Sequence, residues 1–60
     1  MSGYTVTNSI DLINEYCNNP SQYKAWQLKE AINDAEIHYK HGNASKAWYE
    51  SVVRILSAYI

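Results

Sequence analysis

Apolar and small residues recur at steps of three and four along the second half of the chain, which is the period of one face of an α-helix. One stripe consists of Ala44, Ala47, Trp48, Ser51, Val52, Ile55 and Tyr59. An earlier stripe consists of Ala25, Leu28, Ile32, Ala35 and Tyr39. Only His41, Gly42 and Asn43 separate the two, and such a short connection forces consecutive helices to pack antiparallel. The pattern therefore predicts a helical hairpin whose apolar faces meet.

A shorter amphipathic stretch precedes the hairpin. Its apolar side is formed by Ile10, Ile13 and Cys17, widened by Leu12 and Tyr16. Asn8 is a favoured N-cap residue, and Asp11 falls three positions later, where a carboxylate suits the positive end of a helix. We therefore predict a first helix over residues 8–18, too short to be stable without tertiary packing.

The boundaries of the hairpin follow from turn chemistry. Pro20 suits the first position of a helix, and Asn19 before it can act as the cap. Gly42 suits the left-handed position that follows a helix, and Asn43 can cap the next one. We predict helices over residues 20–41 and 43–60, with a flexible arm over residues 1–7. The predicted fold is a single all-α domain, a three-helix bundle in which the short N-terminal helix packs on the long antiparallel hairpin.

The turn region resembles the middle of a tetratricopeptide-type helical hairpin. The residues that carry the resemblance run from Ala35 to Ala47, with Tyr39, the Gly42 turn and Lys46 in register. The resemblance covers about a third of the chain and implies a helical hairpin. Ser51 and Arg54 depart from the pattern of that family, its closing proline is missing, and a solenoid needs about three repeats. We assign no family.

Composition narrows the function classes. The chain has 60 residues, five basic and six acidic, with a net charge of −1, so it lacks the basic stripe typical of nucleic-acid binding. It has no run of about 18 apolar residues that would span a bilayer, and its N-terminus lacks the basic and apolar regions of a signal peptide. A lone Cys17 fits a reducing compartment. We expect a cytoplasmic protein, and the bias towards Asn, Ile and Tyr fits a bacterial, phage or plasmid accessory protein.

The chain carries more apolar surface than one core needs. A chain of this size buries only about 60% of its unfolded surface, so its stability is marginal without a disulfide, a metal or a partner. On the second and third predicted helices, additional apolar residues lie beside or opposite the core stripes, and exposed apolar patches mark contact sites. The residues that we predict to bind a partner are Trp26, Ile37, Tyr49, Val53, Leu56 and Ile60.

Three groups of residues are candidates for chemistry. His38 and His41 could share a helix face, but no matching spacing supplies further ligands, so we interpret them as solvated residues at a helix C-terminus. Cys17 lies on an apolar stripe, where a buried and inert thiol is usual. The carboxylates Glu30, Asp34 and Glu36 are interpreted as solvated charges on a helix surface. We therefore predict no enzyme activity, no metal and no cofactor.

The sequence favours a small protein–protein interaction module, an adaptor or inhibitor of a larger protein that is also homodimeric. The partner is expected to be a protein, a second copy of the chain, or both. The alternative is a compact helix-turn-helix-like regulator that binds DNA, since such folds are three-helical and of this size. Lys46 and Arg54 are the only bases on the helix that would read the DNA, and Glu50 opposes them.

Overall fold

The computed structural model describes residues 6–60, which fold into three α-helices. Helix α1 spans Ile10–Asn18, α2 spans Ala25–Lys40, α3 spans Lys46–Ser57, and a 3-10 turn, Pro20–Gln22, lies between α1 and α2. Each helix packs on the other two, and α2 and α3 share the largest contact. Tyr39 near the end of α2 stacks on Tyr49 near the start of α3, with ring centroids 5.3 Å apart. Because a short connection joins two helices that share the largest contact, α2 and α3 form an antiparallel hairpin. The predicted all-α three-helix bundle is confirmed.

The turn between α2 and α3 forms as Gly42 predicts. Gly42 has a φ of 78°, the left-handed region that a side chain disfavours. Its N–H bonds to the carbonyl of Tyr39, and the N–H of Asn43 bonds to the carbonyl of His38. This pair of hydrogen bonds is the Schellman motif, which satisfies two of the orphan carbonyls at the end of a helix.

The caps of α1 and α3 differ from the prediction by one or two residues. Ser9 caps α1, and its hydroxyl accepts a hydrogen bond from the Leu12 N–H. Ser45 caps α3, and its hydroxyl accepts from the Trp48 N–H. The predicted caps, Asn8 and Asn43, lie outside the helices because both are held by other contacts. Of the predicted flexible arm, residues 1–5 lie outside the described part of the chain.

The start of α2 is a larger correction. The predicted helix from residue 20 is broken, because the 3-10 turn at Pro20 is followed by extended backbone at Tyr23 and Lys24, and α2 begins at Ala25. The break places the Tyr23 ring against Tyr16 of α1, with centroids 4.3 Å apart. A continuous helix would have carried Tyr23 in another direction, so this contact between α1 and the connection accounts for the break.

The core lies where the three helices meet. Its fully or nearly fully buried apolar residues are Ile13, Tyr16, Leu28, Ala31, Ala35, Val52 and Leu56. Ala31 and Ala35 have small side chains, which lets the neighbouring helices approach α2 closely. Tyr59, which the stripe of α3 placed in the core, is 53% exposed, because α3 ends at Ser57 and the stripe no longer follows a helical period beyond it.

A buried polar cluster fixes the beginning of α1 on α2. The Asn8 N–H donates to Asp34 Oδ2 over 2.8 Å, and His38 Nε2 lies 3.1 Å from the Asn8 carbonyl oxygen. That oxygen can only accept, so Nε2 carries the proton in this bond. The Tyr16 hydroxyl donates to Asn8 Oδ1 over 3.3 Å. The interpretation of Asp34 and His38 as solvated residues is therefore wrong, because both are buried.

Replacing Asp34 tests this cluster. Asp34→Ala leaves the buried Asn8 N–H without its acceptor, which should lower the free energy of unfolding by about 1–3 kcal/mol in urea denaturation. The control is Glu36→Gln, which removes the exposed ion pair to Lys40 and should cost at most about 1 kcal/mol. Equal losses in the two variants would show that the Asp34 contact does not hold α1.

Candidate protein-binding surface

The six residues predicted to bind a partner fall into three groups. Leu56 is 0% exposed and belongs to the core, so the prediction that it contacts a partner is wrong. The reason is that α3 packs on both α1 and α2, and Val52 and Leu56 lie at the centre of that wide contact. A helix with two neighbours buries a broader apolar stripe than a helix with one.

Tyr49 and Val53 are half-buried. Tyr49 packs against the core, and its ring is nearly parallel to that of Tyr39, with an interplanar angle of 4°. Part of the apolar side of α3 that we predicted to contact a partner is therefore buried within the bundle. Any contact that these two residues make with a partner must use their remaining exposed edges.

Trp26, Ile37 and Ile60 lie further out. Trp26 is 61% exposed and Ile60 is 49% exposed, while Ile37 is half-buried. Trp26 and Ile37 are eleven residues apart, about three turns of helix, so they share one side of α2. That side is opposite the buried Leu28. These three residues stay predicted partner contacts.

Core and surface positions can be separated by two matched truncations. Leu56→Ala should leave a cavity and cost about 2–5 kcal/mol of unfolding free energy. Ile60→Ala, at an exposed position beyond α3, should change stability by less than about 0.5 kcal/mol. Chemical denaturation at several protein concentrations measures both, and a large, concentration-independent loss for Ile60→Ala would place that residue in the core.

Besides that of Tyr59, the exposure of one further apolar residue was not predicted from the sequence. Leu12 was assigned to the apolar side of α1, but it is 39% exposed. It precedes Tyr16 by one helical turn, so the two side chains are neighbours on the surface of α1. The sequence offered one indication of this exposure, which is that Leu12 lies between two acidic residues, Asp11 and Glu15.

The Tyr16 phenol lies in surroundings that disfavour its ionisation. Burial raises the pKa of the Tyr16 phenol, and the neighbouring Tyr23, Glu30 and Asp34 raise it further. Both ion pairs formed within residues 6–60 lie elsewhere, joining Lys40 to Glu36 over 2.9 Å and Lys46 to Glu50 over 3.9 Å.

The candidates for chemistry are placed as follows. Cys17 is half-buried against the core, and burial raises the pKa of its thiol, which disfavours the reactive thiolate. His38 is buried and His41 is exposed. Residues 6–60 contain neither a pocket nor a group of three or more side chains that could hold a metal ion. No helix in the same range is long and apolar enough to cross a membrane.

The histidines give a direct test of metal binding. Because His38 Nε2 is engaged with the Asn8 carbonyl, His38 and His41 are not arranged as a chelating pair. Zinc or nickel at micromolar concentration should therefore raise the melting temperature by no more than about one degree, since only a ligand bound by the folded state stabilises it. A larger rise that a chelator reverses would contradict this expectation.

Comparison of the chain with protein-family models, with curated proteins and with solved structures finds no match.

Proposed function

We propose that the chain is a small protein–protein interaction module that acts as an adaptor or inhibitor of a larger protein and also self-associates. The observation that carries this proposal is the exposure of Trp26, which presents 61% of its surface to solvent on the outward side of α2. Tryptophan combines a large apolar area with a polar N–H group, and it is enriched among the residues that dominate binding energy at interfaces.

Two further observations support the proposal. Exposed apolar residues occur on more than one element, since Leu12 lies on α1 while Tyr59 and Ile60 follow α3. A domain of this size also has little core with which to stabilise itself, and association adds buried area. The DNA-binding alternative has less support, because Lys46 of α3 is already paired with Glu50.

We also propose that the protein acts in the cytoplasm. The support is its single cysteine, Cys17, whose raised pKa and partial burial fit a stable free thiol. A free thiol persists most readily in a reducing compartment.

The proposal predicts that Trp26 is needed for association but not for folding. Trp26→Ala should keep the helical circular dichroism of the parent. The dissociation constant of its complex with a captured partner, or of its own dimer measured by light scattering over a concentration series, should rise at least about tenfold, the effect of truncating an aromatic anchor. Arg54→Ala, a change at an exposed position on α3, is the matched control and should leave association unchanged. Association that survives Trp26→Ala in full would contradict the proposal.

A further inference from the structure

We draw no further inference here: the strongest candidate, the apolar surface patch around Trp26 on the outward side of α2, has Lys29 and Glu30 beside the tryptophan, so its charge favours no class of partner, and nothing in the structure shows what covers it.

Discussion

The backbone N–H and the backbone carbonyl of Asn8 are bound by Asp34 and His38, two side chains that lie one turn apart on α2. This pair of contacts, called the Asn8 clamp below, holds the beginning of α1 on α2. A buried peptide group without a partner costs about 1–3 kcal/mol, and a nine-residue helix is marginal on its own. Asp34 and His38 satisfy that group at one end of α1. The contact between Tyr16 and Tyr23 fixes the other end, and the Trp48 indole N–H, which donates to Asn14, ties α1 to α3.

α2 contacts its two neighbouring helices through different kinds of side chain. Towards α3 the helix presents apolar and small residues, among them Leu28 and Ala35, and the contact there is hydrophobic. Towards α1 it presents a carboxylate and an imidazole in their place. Through the Asn8 clamp, α2 is therefore joined to the start of α1 by hydrogen bonds from a buried polar pair as well as by apolar packing.

The same arrangement shows what could be predicted from the sequence. The hairpin, the glycine turn and the short first helix follow from periodicity and turn chemistry, which are local. The caps are not settled locally, because Asn8 and Ser9 are both good cap residues. The tertiary contacts of Asn8 leave the role to Ser9. The apolar pattern likewise does not predict that Asp34 and His38 are buried. Their burial depends on hydrogen bonds to the backbone of Asn8, which lies 26 and 30 residues away in the sequence.

The candidate surface was predicted less well, and for a related reason. The apolar stripe on α3 is wider than packing against one helix requires. Such a stripe can contact either another protein or a second helix of the same chain, and Leu56 is buried by the second helix.

On α2 the ambiguity does not arise, because Trp26 lies opposite the buried side and no element of residues 6–60 covers it. A tryptophan that is 61% exposed on the side of α2 away from the core contributes little to folding, and this is why association is proposed through α2 and not through α3.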